Sequence, residues 1–254
     1  MPEKLTVEAF QKHFLALHAQ LKSYLFRLTA HRQDAEDLAH DTYLKALKSL
    51  GSFAGKSTLK TWLFTIATNL ARDRFRVQKR WQENSQDRCR EDTRARPDRV
   101  AEMHRIVENS PAEKYDFKEH IDYCFTCIAK TLEIEQQLTV ILKEVYNFKV
   151  SEIMDILQMS EGQVKYALSQ ARNTMNDIYD RRCELINKNG MCHQCSEIND
   201  FIHPKRDSTT QLVQLQLHKE AATDTSKDRL FELRAELVRS VDPLSAAGAD
   251  LHGS

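Results

Sequence analysis

The apolar residues of this chain recur at three- and four-residue intervals, a spacing that commits most of it to amphipathic helices. From Thr6 to Thr29 the anchors are Phe10, Phe14, Leu21, Leu25 and Leu28. In DAEDLAHDTYLKALKSL they are Ala35, Leu38, Ala39, Thr42, Tyr43, Ala46, Leu47 and Leu50, with Asp34 as the expected N-cap. STLKTWLFTIATNLARDRFR sets Leu59, Trp62, Leu63, Ile66, Ala67 and Leu70 on one stripe and runs into Arg72, Arg74, Arg76, Lys79 and Arg80. Sandwiches, barrels and Gly-rich binding folds need many tight turns, which 6 Gly and 5 Pro in 254 residues do not supply. The expected class is all-α. No apolar run approaches the ~20 residues of a membrane span. The opening MPEKLTVEAFQKHF lacks a basic-then-apolar export pattern, so the expectation is a cytoplasmic chain with no membrane partner.

Periodicity stops near Trp81 and returns after Glu119. The intervening stretch is rich in mixed charge and poor in aliphatics, which predicts a linker with a short helix near Val100 to Val107. Ile134, Leu138, Ile141, Leu142 and Val145 restore the helical pattern. Two helices then follow, Val150 to Leu157 and Gly162 to about Asp180, with a capping box from Ser160 to Gln163. Short helix, tight turn and longer helix is the helix-turn-helix layout. Beyond Arg182 come three cysteines, a polar stretch and an amphipathic run, KDRLFELRAELVRSV. The expected layout is a helical domain at 6–80, a linker at 81–119, a second helical domain at 120–182 and a helical C-terminal extension at 183–254.

Four surfaces could carry chemistry. GSFAGKS has three residues between its glycines where a phosphate-binding P-loop needs four, and helix precedes it, so it reads as a connecting loop. The polar side of the second helix carries Glu36, Asp37, His40, Asp41 and Leu44. That is either a solvated acidic face or a docking surface with an apolar contact at its centre; no third catalytic partner converges on the carboxylates, and no catalytic residue is assigned. Trp62 and Phe64 lie near Lys56, Lys60, Arg72 and Arg76. Such a mixture is either core with ordinary solvated charges or a surface for unstacked bases and phosphates. In the last helix of the second domain Val164, Leu168, Ala171 and Met175 form the buried stripe. Lys165, Tyr166, Ser169, Gln170 and Arg172 are then left to contact phosphates or base edges in a major groove. Lys+Arg and Asp+Glu are both 37, so bulk charge alone does not drive nucleic-acid binding. A local basic surface, or a partner that supplies most of the affinity, remains open.

The order of these parts is more specific than any one of them. DAEDLAHDTYLKAL followed by FAGKSTLKTWLFTIATNLARDRFR closely resembles the second conserved region of bacterial extracytoplasmic-function (ECF) sigma factors. LEIEQQLTVILKEVYNFKVSEIMDILQMSEGQVKYALSQARNTM resembles their fourth. Together the two cover most of residues 6 to 180. The resemblance implies a non-catalytic transcription-initiation subunit whose partners are core RNA polymerase, through its beta-prime and beta subunits, promoter DNA and an anti-sigma factor. It implies that Asp34 to Leu50 docks on the beta-prime coiled coil. It implies that Gly51 to Ser57 and the next helix, with Asn69, Arg72, Asp73 and Arg76, face the melted minus-ten element. The helix-turn-helix would read the minus-thirty-five element. Two alternatives belong to other classes: a helix-turn-helix regulator acting without polymerase, and a dithiol oxidoreductase.

Cys124-x2-Cys127 precedes the second domain and Cys192-x2-Cys195 follows it. Two such pairs in an unexported chain point to one structural Zn²⁺, with Cys183 as a substitute ligand and His193 as a further candidate. Cys89 stands alone in the linker. Some ECF sigma factors carry cysteine-rich C-terminal extensions that respond to metals or redox state, and this extension resembles theirs.

Overall fold

The structure is a computed structural model and describes residues 5–77, 95, 98, 117–182 and 226–244. Its elements are α1 (Val7–Thr29), α2 (Arg32–Ser49), a 3-10 turn (Leu50–Ser52), α3 (Leu59–Val77), α4 (Phe117–Ala129), α5 (Ile134–Val140), α6 (Val150–Leu157), α7 (Glu161–Arg182) and α8 (Lys227–Arg239). A π-turn at Ile141–Val145 continues α5. The described residues thus have the all-α class read from the periodicity. No helix among them is long and apolar enough to cross a membrane. The expected helix at 100–107, Lys79, Arg80, Cys89, Cys183, Cys192, His193 and Cys195 lie outside the described residues.

Local signals set the helix ends. Thr6 caps α1 by accepting from the Ala9 N–H at 3.2 Å. Ala30, in the left-handed conformation at φ 54°, closes it with an N–H bond to the Phe26 carbonyl. Because α1 ends there, the first extended residue is His31, and His31 rather than Asp34 is the N-cap of α2. Its Nδ1 accepts from the Asp34 N–H at 3.2 Å. Asp34 stands three residues further in, within the first turn where the helix dipole favours an acid, and pairs with Arg74 of α3. The predicted capping box closes in both directions: the Ser160 N–H reaches Gln163 Oε1 at 2.8 Å, and the Gln163 N–H reaches Ser160 Oγ at 3.3 Å.

Contacts group the chain into two compact units that join segments distant in sequence. Of the described residues, the first gathers 5–77, 132–171 and 242–244. Small residues on α2 (Ala35, Ala39, Ala46) let it lie close against α1, whose Phe10, Leu21, Leu25 and Leu28 are fully buried. Phe64 of α3 is the hub of an aromatic cluster, with ring centroids 5.0 Å from Tyr24, 4.8 Å from Phe148 and 5.8 Å from Tyr146. The Tyr24 hydroxyl, fully buried, shares a 2.8 Å hydrogen bond with Thr68, and burial pushes its phenol well above the ordinary range. Tyr146 ends the π-turn and meets Ser23 Oγ at 2.8 Å and Arg27 Nη1 at 3.2 Å. Gln137 Nε2 donates to the Leu28 carbonyl at 3.2 Å, satisfying one of the orphan acceptors in the last turn of α1.

Of the described residues, the second unit gathers 95, 98, 117–131, 172–182 and 226–241. There α8 packs on α4 and on the distal part of α7. Phe231 meets Phe125 at 6.0 Å. Arg234, 1% exposed, lays its guanidinium 3.9 Å over the Tyr179 ring. Lys227 pairs with Asp180 at 2.6 Å, and Ser226 caps the helix by accepting from the Arg229 N–H.

Candidate functional site

The outer face of α2 is set by the burial of Ala35, Leu38, Ala39, Thr42 and Ala46 on its inner one. That burial turns Asp37, His40, Asp41 and Leu44 to solvent together, with Leu44 48% exposed. Glu36 is half-buried and pairs with Lys22 at 3.5 Å; Asp37 accepts from Gln33 Nε2 at 2.8 Å. The five residues singled out from the sequence therefore line one side of one helix. Glu36 and His40 also wall a groove of about 560 Å³ between α1 and α2, floored by Phe14, Ala39 and Tyr43. Leu15, 73% exposed, forms its other wall and was not singled out from the sequence. The signal was present: Leu15 is an apolar residue out of phase with the buried stripe of its helix.

The loop and α3 carry the next group. Lys56 is exposed beside Gly55, whose φ of +65° makes the bend that a side chain would strain. Asn69 and Arg76 are exposed, Arg76 pairing with Asp73 at 3.1 Å. Lys60 and Arg72 are half-buried. Arg72 donates to Glu135 at 2.6 Å and to the Leu157 carbonyl at 3.2 Å. Lys60 lies 4.6 Å from the centroid of Phe148, and burial lowers its ammonium below the ordinary lysine range, with Glu152 opposing that shift. The aromatic pair divides: Trp62 is half-buried against Phe53 at 5.0 Å, whereas Phe64 is entirely core and cannot receive a base.

An eight-residue helix, a three-residue turn and α7 follow in order. Gln158 takes the left-handed C-cap position of α6 at φ 56°, with its side-chain amide donating to the Asp155 carbonyl at 2.7 Å. On α7 Val164, Ala167, Ala171 and Met175 face inward. Lys165, Tyr166 and Ser169 are exposed, Tyr166 at 66%, and Gln170 is half-buried. Lys165 pairs with Glu161 at 2.6 Å one turn earlier, which holds the Glu161 carboxyl below its usual range. Arg172 is half-buried with its guanidinium 5.8 Å from the Phe231 ring.

Cys124 and Cys127 stand one turn apart on α4, 7% and 3% exposed. Among the described residues no group of three His, Cys, Asp or Glu side chains converges to hold a metal.

Comparison with known proteins gives these surfaces a context. Residues 13–81 match the family model described as Sigma-70 region 2. The chain is 30% identical over 156 residues to RNA polymerase sigma factor YlaC of Bacillus subtilis (strain 168), covering 61% of this chain and 83% of that one. It is 29% identical over 164 residues to ECF RNA polymerase sigma factor SigX of the same strain, covering 62% and 77%. To ECF RNA polymerase sigma factor SigG of Mycobacterium tuberculosis (strain ATCC 25618 / H37Rv) it is 28% identical over 178 residues, 66% of this chain and about half, 48%, of that relative.

Proposed function

The chain belongs to the extracytoplasmic-function (ECF) family of RNA polymerase sigma factors, and from that premise we propose how its surfaces divide the work of promoter-specific transcription initiation. The outer face of α2 docks on the beta-prime coiled coil of core polymerase, with the beta subunit as the further contact. What supports this is the joint exposure of Asp37, His40, Asp41 and Leu44, an acidic rim around an apolar centre suited to a basic amphipathic helix. The loop and α3, through Lys56, Lys60, Asn69, Arg72 and Arg76, hold the melted strand of the minus-ten element. The α6–turn–α7 helix-turn-helix reads the upstream duplex through Lys165, Tyr166, Ser169, Gln170 and Arg172. The chain acts in the cytoplasm without catalysis of its own, and an anti-sigma factor is the regulatory partner this reading adds.

Run-off transcription with purified core polymerase should yield promoter-specific product only when the chain is present. Lys165→Ala should weaken binding to the upstream duplex and flatten its salt dependence by about one unit of log–log slope. Asn69→Ala and Arg76→Ala should instead slow strand opening and recover on a pre-melted promoter. Equal defects of both groups on that pre-melted template would show the division of labour to be wrong.

The extension carries a second proposal, one structural Zn²⁺ held by Cys124, Cys127, Cys192 and Cys195, with Cys183 as the substitute ligand. The donor chemistry fits: Cys124 and Cys127 are buried at i, i+3 on α4, the spacing that sets two thiolates on one side of a helix. Protein purified without chelator should contain about one zinc per chain, lost in Cys124→Ser. Equal zinc content in wild type and variant would exclude this ligand set.

A further inference from the structure

Among the described residues two arginines are fully buried, and both lie against a tyrosine ring. Arg27, in the first unit, also has hydroxyl acceptors: its Nη1 donates to Ser23 Oγ at 2.6 Å and to the Tyr146 hydroxyl at 3.2 Å. Arg234, in the second, has the face of Tyr179 at 3.9 Å and no hydrogen-bond acceptor at either Nε or Nη2. Arg72 and Arg74 lack an acceptor at Nε alone, and each gives its Nη2 to a carboxylate. The difference is chemical. Nε–H and the adjoining Nη2–H point the same way from one edge of the planar guanidinium, and together they form the fork that holds two oxygens of a carboxylate or phosphate.

The acids on the two helices around this edge are engaged or face solvent. Asp177 and Asp180, at the end of α7, pair with Lys227 at 3.7 and 2.6 Å. On α8, Glu232 pairs with Arg229 at 3.6 Å, and Asp228 and Glu236 are exposed. Among the described residues the interior of the second unit sets Lys130 and Arg234 against Asp122 alone, a surplus of positive charge. A buried water would satisfy the N–H groups but leave that surplus in place. Burial of an uncompensated guanidinium is among the largest penalties an interior can carry.

We propose that the Nε/Nη2 edge of Arg234 is a binding site for a small solute oxyanion, a phosphate or carboxylate group. The ligand enters as α8 closes onto α4 and α7, and its charge completes the buried set. Seating of the last helix thereby depends on a soluble anion. The site stands apart from the surfaces assigned to polymerase and DNA.

Hydrogen exchange of residues 227–239 in the full-length chain reads the seating of α8 directly. The comparison is between sodium phosphate or sodium acetate at millimolar concentration and sodium chloride, at equal pH and ionic strength, where salting-out is negligible. Exchange should slow about tenfold when the anion stands at about ten times its Kd. Arg234→Lys keeps a cation near the ring and removes the fork, and should abolish the response. Arg239→Lys, at an exposed position of the same helix, should retain it. A response to phosphate but not acetate would assign the site to phosphate groups, and the reverse to carboxylates. Wild type that exchanges alike in all three salts would overturn the site, a comparison that needs no variant to fold. A response that survives in Arg234→Lys would place the anion elsewhere and overturn it equally.

Discussion

Changing Asp37 and Asp41 together to Lys is expected to lower the affinity for core polymerase by about 100-fold, roughly 2.7 kcal/mol. Both carboxylates are exposed on the outer side of α2, and each exchange reverses a charge where a basic partner helix would lie. The loss should shrink as ionic strength rises, because exposed charges are screened beyond about 10 Å at 0.1 M salt. Folding should be spared: Asp37 accepts from Gln33 on the surface, and neither residue contributes to the core. Titration of labelled chain with core enzyme, alongside thermal melting of the variant, checks both halves. Undiminished affinity would move the docking surface off α2.

Phe64→Ala should produce the largest loss of stability. The ring is fully buried and is packed by Tyr24, Tyr146 and Phe148, side chains from two of the three stretches of the first unit. Removing it sacrifices its transfer free energy and leaves a cavity that three large rings cannot close, a cost of about 3–5 kcal/mol. For a domain of this size that corresponds to a fall in Tm on the order of 10 °C. Trp62→Ala, at a half-buried position against Phe53, should cost clearly less. Equal losses at the two sites in denaturant melts would contradict the core assignment of Phe64.

The contrast between these neighbours shows where sequence reasoning runs out. Helix existence was legible because α1, α2, α3, α6 and α7 each keep a 3.6-residue apolar period. The cap at Ser160 was legible because a capping box is written in residues three apart. The outward set on α2 followed from the same period. The N-cap of α2 was misplaced because the left-handed turn at Ala30, with no glycine to announce it, ends α1 early enough for His31 to take the position. Lys60 and Arg72 look in sequence like any cations on a polar face. Their burial comes from residues 132–157, and packing between segments more than fifty positions apart leaves no trace in local periodicity. Arg234 is harder still, since an arginine on an amphipathic helix is ordinarily solvent-facing, and here its guanidinium is buried over the face of Tyr179.

The helix that carries Arg234 also bears on truncation. Phe125, Tyr179 and Phe231 are all buried, so the faces of α4 and of the end of α7 that lie beneath α8 are apolar. Deleting α8 would bare a hydrophobic patch on both helices. A chain cut after Arg182 should therefore aggregate more readily than the full chain, and a fragment meant to behave as a soluble unit has to keep that last helix or replace the apolar side chains it covers.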